Sequence, residues 1–449
     1  MAWYEEAVFY HIYPLGLTGA PKQNQGGPVE HRLLTLIPWL DHMVEIGCSA
    51  LYIGPLLESV GHGYETTDYR KVDRRLGTNE DLALFVRECH SRGIRVILDA
   101  VFNHTGREFF AFQDLKKNRE ASRYRDWYRN VDFSGNNEYG DGFSYENWGG
   151  YNLLPKLNQC NPEVVRYHKE TVQFWVDTFA IDGLRLDAAN VLDFGFMHEL
   201  RMQADQIRPD FWLMGEVIGG EYIRWANPEH LHAVTNFVLH KALYSAHNDH
   251  NYFEIAHNVK RLYDMGGSRT AGLGLYNFSD NHDFNRIMSM LHNQAHYTPV
   301  QILVYTLPGV PAVYYGTEFG LEGCKGPDSD DALRPALNLS DYADAVRENP
   351  CTALIAALGR IRRQNRALSY GEYQELYLTN RQYAFARYLD GEAVLVTVNN
   401  DDAPAEINVP DLGFGRYRGA LWGTAAGSEQ GRLCLTVPGN SGEIWLPES

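Results

Sequence analysis

The chain has 449 residues, 44% of them hydrophobic and 22% charged, which is too long for one ordinary compact core and predicts a large domain with a smaller one. A net charge of −17 argues against nucleic acid or an anionic membrane as the main partner and fits a protein acting on a neutral ligand. No apolar run reaches the roughly 18–20 residues that a membrane span needs.

In chain order, residues 1–10 carry Glu5 and Glu6 and lack a basic segment ahead of an apolar one, so they do not read as a signal peptide. Strand-like apolar runs follow at 8–15, 50–55, 95–101, 183–188, 211–217, 234–239, 273–278 and 310–315. Helix-like amphipathic segments lie between most of them, at 31–45, 79–92, 162–178, 191–206, 252–263 and 299–306, with a last one at 352–363. Asn79 with Glu80 and Asp81 marks a helix start and Gly93 its stop. A doubly wound sheet reads the same way up to the sixth strand. The eighth strand and the final helix favour closure, so the predicted fold is α/β, a (β/α)₈ TIM barrel over 1–104 and 161–370. The long connection after the third strand, 105–160, is rich in Tyr, Trp, Asn, Asp and Gly and predicts an inserted subdomain on the C-terminal face of the barrel. From 371 to 449 the texture changes to short alternating runs separated by turn residues, the pattern of an antiparallel β-sandwich. The six cysteines are scattered, without Cys-x-x-Cys, and read as reduced thiols, which with the N-terminus leads us to expect a cytoplasmic protein.

Four segments end barrel strands with chemically active side chains: Asp99-Ala-Val-Phe-Asn-His104, Gly183-Leu-Arg-Leu-Asp-Ala-Ala-Asn190, Gly215-Glu-Val217 and Phe278-Ser-Asp-Asn-His-Asp283. Asp187, Glu216 and Asp283 then stand at the ends of strands four, five and seven, where a barrel converges on one pocket. Burying three carboxylates together costs desolvation and mutual repulsion, so at least one should hold its proton to higher pH. Glycoside hydrolysis uses that state, with one protonated carboxyl and one carboxylate flanking the scissile bond.

In their order and spacing these segments resemble the conserved regions of the α-amylase family of glycoside hydrolases, and the resemblance runs over nearly the whole chain. It implies Asp187 as nucleophile, Glu216 as acid/base and Asp283 as the carboxylate that holds sugar hydroxyls in the transition state. Arg185 would keep Asp187 ionised, and His104 and His282 would bond the sugar at the −1 subsite. His62-Gly-Tyr-Glu-Thr-Thr-Asp-Tyr69 is similar to the family's Gly-Tyr-Asp-x-x-Asp-Tyr. By that likeness Tyr64 stacks on the −1 sugar and Asp68 lines the pocket, with Glu65 where the family often has Asp. Leu154-Pro-Lys-Leu-Asn158 resembles a segment of the neopullulanase, cyclomaltodextrinase and maltogenic amylase group. Two features depart from that group: this chain begins at the first barrel strand, and Val191 follows Ala189-Asn190 where Glu is usual.

The resemblance implies no cofactor. Asn103 matches a position that ligates calcium in many α-amylases, but Lys156 and Asn158 stand where acidic partners are needed, so no essential metal is expected. The expected reaction is retaining hydrolysis of short or cyclic malto-oligosaccharides through a covalent glycosyl-enzyme. Transglycosylation with the same residues and general endo-acting amylase activity are the alternatives, and a non-catalytic barrel is disfavoured because all three carboxylates are present. The expected partner is the oligosaccharide, with no nucleic acid or membrane, and a homodimer is left open.

Overall fold

The computed structural model describes residues 2–265, 273–327 and 329–448. Eight parallel strands close into a barrel, each bonded to the next and the eighth to the first. They are β1 Phe9–Ile12, β2 Ala50–Ile53, β3 Arg95–Ala100, β4 Gly183–Leu186, β5 Trp212–Gly215, β6 Ala233–Thr235, β7 Leu275–Phe278 and β8 Val310–Tyr314. Phe9 pairs with Ala312 on one side and Ala50 on the other, which fixes the register of closure.

The strands are apolar on both faces, and the two faces pack differently. Phe9, Tyr52, Ile97, Trp212, Met214, Tyr276 and Phe278 point inward and fill the barrel. Tyr10, Ile12, Leu51, Ile53, Leu98 and Leu184 point outward under the surrounding helices. Gly183 is required at the crowded start of β4, because a Cβ there would lie 2.4 Å from the Trp212 carbonyl oxygen.

Three elements differ from the sequence expectation. Of the run 234–239 only Val234 and Thr235 are strand, within Ala233–Thr235; Asn236 then caps a helix, Phe237–Asn248, its side chain accepting from the Leu239 N–H at 3.1 Å. The segment 191–206 is helical from Phe194, where the Asp193 side chain caps by accepting from the Phe196 N–H, and Ala189–Val191 forms a separate 3₁₀ turn. The segment 31–45 divides into a 3₁₀ turn, Arg32–Leu36, and a helix, Ile37–Glu45, whose early Pro38 cannot donate to the preceding turn.

After β3 the chain leaves the barrel. Residues 105–160 carry the helix Phe110–Asn118 and a hairpin of Asn147–Trp148 with Tyr151–Pro155. Phe112, Leu115, Tyr128, Phe143 and Tyr145 are buried beneath them, and a buried ion pair joins Arg107 to Asp141 at 2.7 Å.

Beyond the last helices, eight antiparallel strands run β9 Glu372–Leu378, β10 Gln382–Leu389, β11 Glu392–Asn399, β12 Ala405–Pro410, β13 Arg416–Gly419, β14 Ala425–Glu429, β15 Arg432–Val437 and β16 Ser441–Pro447. They form one hydrogen-bonded sheet in the order β9-β10-β11-β16-β13-β14-β15-β12. The sheet folds over so that Ile407, Val409, Leu433 and Leu435 pack with Ala384, Leu395 and Trp445. Buried Arg387 ties this layer to the barrel, donating to the carbonyl oxygens of Thr306 and Gly371 at 2.8 and 3.0 Å.

Candidate active site

Strand periodicity builds the floor of the site. Inward-pointing positions recur every second residue, and three strands end their inward series on a carboxylate. On β3, Ile97 is followed by Asp99; on β4, Gly183 and Arg185 are followed by Asp187; on β5, Trp212 and Met214 are followed by Glu216.

One guanidinium gathers all three. Arg185 Nη1 lies 2.7 Å from Asp99 Oδ1 and 2.8 Å from Asp187 Oδ1, and Nη2 lies 3.0 Å from Glu216 Oε2. The Ala188 N–H also donates to Glu216 Oε2 at 2.9 Å. Ala188 reaches that position with a left-handed backbone, φ 47° and ψ 39°, uncommon for a residue with a Cβ. The turn therefore couples the residue after Asp187 directly to Glu216.

Burial raises the proton affinity of Asp187, Glu216 and Asp99, and the charge of Arg185 opposes it in each case. The charge of Asp283 pushes Glu216 in the same upward direction as burial. Asp99, Asp187 and Glu216, gathered on one guanidinium, share protons as a set. Such a set can hold one proton to higher pH than an isolated carboxyl while keeping another carboxylate ionised against Arg185.

Asp283 stands across the site. Its Oδ1 pairs with Arg334 Nη2 at 2.8 Å and its Oδ2 lies 3.1 Å from His282 Nε2. The Tyr64 hydroxyl meets His282 Nε2 at 2.5 Å and donates to Asp99 Oδ2 at 3.1 Å, and the Tyr64 and His282 rings stack with centroids 5.7 Å apart. His104 lines the cleft with both nitrogens engaged: Nε2 bonds the Tyr64 carbonyl at 3.1 Å, and Nδ1 lies 3.2 Å from Asn103 Nδ2. Burial lowers His104 to about 3, so its ring is neutral.

Seven of the eight residues singled out by sequence come together here, and Asp68 does not. It lies on the strand Thr66–Val72, where side chains alternate; buried Tyr69 points inward, so Asp68 points out and accepts from the Arg70 N–H at 2.9 Å. Glu65 closes the loop ahead of that strand, accepting from the Gly63 N–H at 3.2 Å. Sequence reasoning missed Asp99 as a site residue, although it opens a quoted segment and continues the inward series of β3. It also missed Arg334 and Tyr13, which no motif marks. Arg334 comes from the loop after β8, stacks over Tyr13 at 4.7 Å and pairs with Asp330 at 3.1 Å.

The cleft above these groups holds about 530 Å³. The insert supplies one wall through Trp148, Tyr151 and Leu154, and Ile218 and Phe284 lie among its other lining residues. Beyond His62, Lys325, Asp330 and Arg334, which line both spaces, a second hollow of about 620 Å³ continues the surface.

Asn103 Oδ1 is buried without a partner among the described residues, and a basic side chain stands on the neighbouring strand. The Lys156 ammonium pairs with Glu146 at 2.9 Å, and the Asn158 Nδ2–H donates to the Asp126 carbonyl at 3.0 Å. Calcium asks for six to eight oxygen ligands. Among the described residues no group of three or more His, Cys, Asp or Glu is arranged to hold a metal, and no helix is long and apolar enough to cross a membrane.

A family model for the catalytic domain of α-amylase matches residues 32–364. The chain is 31% identical over 432 residues to a cyclomaltodextrinase from a Bacillus species, covering 90% of this chain and 74% of that one. It is 29% identical over 471 residues to neopullulanase 2 of Thermoactinomyces vulgaris, covering 98% and 78%. The native debranching enzyme of Nostoc punctiforme superposes with a TM-score of 0.84 at 28% identity, covering 99% of this chain and 98% of that one.

Proposed function

The chain belongs to the α-amylase family of glycoside hydrolases, and from that premise we propose that it cleaves α-glucosidic bonds in short or cyclic malto-oligosaccharides with retention of configuration. The observation that carries the mechanism is the Arg185 bridge, which holds the carboxylates of Asp187 and Glu216 on the two terminal nitrogens of one guanidinium. Retaining glycosidases work with two carboxyl groups about 5–5.5 Å apart, one on each side of the scissile bond.

In the first step Glu216 gives its proton to the glycosidic oxygen as that oxygen leaves, and an Asp187 oxygen bonds to the anomeric carbon. Arg185 favours the ionised form of Asp187. Departure of the leaving sugar exposes the glycosyl ester to water. Glu216, now a carboxylate, takes a proton from that water as it attacks the anomeric carbon and releases Asp187. Tyr64 presents its ring to the sugar at the −1 position, His104 supports that wall, and Asp283 with His282 faces the sugar hydroxyls. No step calls on a metal or cofactor.

The names of the relatives support malto-oligosaccharides and cyclodextrins as the substrate class. The shape of the cleft supports it independently, because its volume falls within the roughly 300–1,000 Å³ of small-molecule sites. Proton NMR of the first product tests the mechanism. The α anomer is expected before mutarotation, and a β-configured first product would sink it.

A further inference from the structure

Inside the barrel, beneath the cleft, is a small cavity of about 20 Å³ lined by His11, Tyr276 and His282, with Arg185 and Glu216 in its wall. Its size matches one water molecule, which needs roughly 10–15 Å³ and two to four polar partners. Three buried polar atoms supply those partners: His11 Nε2, His282 Nδ1 and Tyr276 Oη make no hydrogen bond with any group among the described residues. Their rings are held firmly. His11 stacks on Tyr52 with centroids 4.0 Å apart and meets His282 edge to face at 5.2 Å.

The upper side of His282 fixes which nitrogen carries its proton. Nε2 faces Asp283 Oδ2 at 3.1 Å, and it faces the oxygen of Tyr64, whose own proton goes to Asp99. Both neighbours ask for a proton on Nε2. In a neutral ring Nδ1 is then a bare acceptor that needs a donor from below. Among the described residues no donor reaches it, whereas the Tyr276 hydroxyl is a donor without an acceptor and the neutral His11 ring can present an N–H at Nε2. One water in this cavity would satisfy all three by donating to His282 Nδ1 and accepting from His11 and Tyr276.

We propose that this cavity binds a structural water that locks His282 in its Nε2–H tautomer, which makes His11 and Tyr276 positioning residues for the −1 subsite. The catalytic consequence rests on the reading of His282 given above; the water and the tautomer do not. With the opposite tautomer, Nε2 would turn a lone pair toward Asp283 and the pair would separate.

The test uses the unliganded full-length enzyme. A high-resolution crystal structure is expected to show one ordered water within hydrogen-bonding distance of all three atoms, and ¹⁵N NMR of histidine-labelled protein is expected to show His282 as the Nε2–H tautomer. Tyr276→Phe keeps the ring and removes one partner. It should give mixed His282 tautomers and lower kcat about tenfold with KM within about twofold, the pattern of a group that acts in the transition state. His11→Phe, which keeps the stack on Tyr52, should do the same. A dry cavity, an Nδ1–H tautomer in the wild type, or an unchanged tautomer in both variants overturns the proposal. Wild-type enzyme with the water and tautomer in place but inactive on every α-glucan would instead overturn the proposed function and leave the water site standing.

Discussion

At the scale of single residues, the geometry of the site follows from a two-residue period, and so does the outward turn of Asp68. The placement of Asp187 and Glu216 was legible because each extends an inward series on its strand, and the same alternation turns Asp68 outward beside buried Tyr69. Arg334 was not legible, since a loop residue gains its partner only when the chain folds. Asp187→Asn, Glu216→Gln and Asp283→Asn should each lower kcat by about a thousandfold or more while the circular dichroism spectrum is kept; more than a tenth of the activity left in any one removes that residue from the mechanism. Asp68→Ala should leave kcat/KM within about twofold, and a larger loss would restore it to the site. Glu216→Gln carries a second expectation. Burial raises the Glu216 carboxyl, with Arg185 opposing, so the folded state binds this proton more tightly than the unfolded chain does. Stability from this group is then lost as pH rises through the unfolded value, about 4.3, toward the folded one. Glutamine carries no such penalty. The variant should melt above the wild type at pH 7, and the gap should close as pH falls below about 4. A gap that widens on acidification contradicts the burial argument.

At the scale of elements, apolar runs located every barrel strand, but a run alone does not say where strand gives way to helix. The stretch 234–239 is apolar throughout apart from Thr235 and Asn236; the Asn236 cap makes the division, by offering an acceptor to the Leu239 N–H. The insert shows a similar division of labour among aromatics. Phe143 and Tyr145 are buried and pack against Phe112, whereas Trp148 and Tyr151 are 40% and 63% exposed on a hairpin turned by Gly149 and Gly150 at φ 62° and 85°. Glycine is favoured at both turn positions because both have positive φ. The two groups should answer differently to truncation. Phe143→Ala empties a packed position and should cost about 3–5 kcal/mol, read as a fall in the denaturation midpoint. Trp148→Ala and Tyr151→Ala should leave the midpoint nearly unchanged and raise KM for maltotriose several-fold. If their KM values stay at the wild-type level, these rings do not stack on substrate.

At the scale of the whole molecule, closure of the barrel and the change to short alternating strands could be read in advance, because each depends on a repeated pattern rather than on one residue. The shape of the cleft could not, since it arises where the insert, the loop after β8 and the strand ends meet. That shape bears on substrate size. On one side the hairpin wall with Trp148 and Tyr151 stands over the carboxylates. On another, Arg334 is fixed to Asp283 and Asp330, and Lys325 pairs with Asp330 at 3.1 Å, so a wall of ion pairs separates the 530 Å³ cleft from the hollow beyond. A long, regular α-glucan would have to run across this wall, while a short chain or a small ring meets only the central cleft. The expected order of kcat/KM, per glucosidic bond, is therefore maltotriose or a cyclodextrin above soluble starch. Shortening the wall by Lys325→Ala should narrow that ratio by improving starch cleavage more than maltotriose cleavage, because it opens the passage without touching the three carboxylates. If starch is cut at least as efficiently as maltotriose by the wild type, with random internal cleavage, the cleft is open at both ends in solution and the enzyme is a general endo-acting amylase.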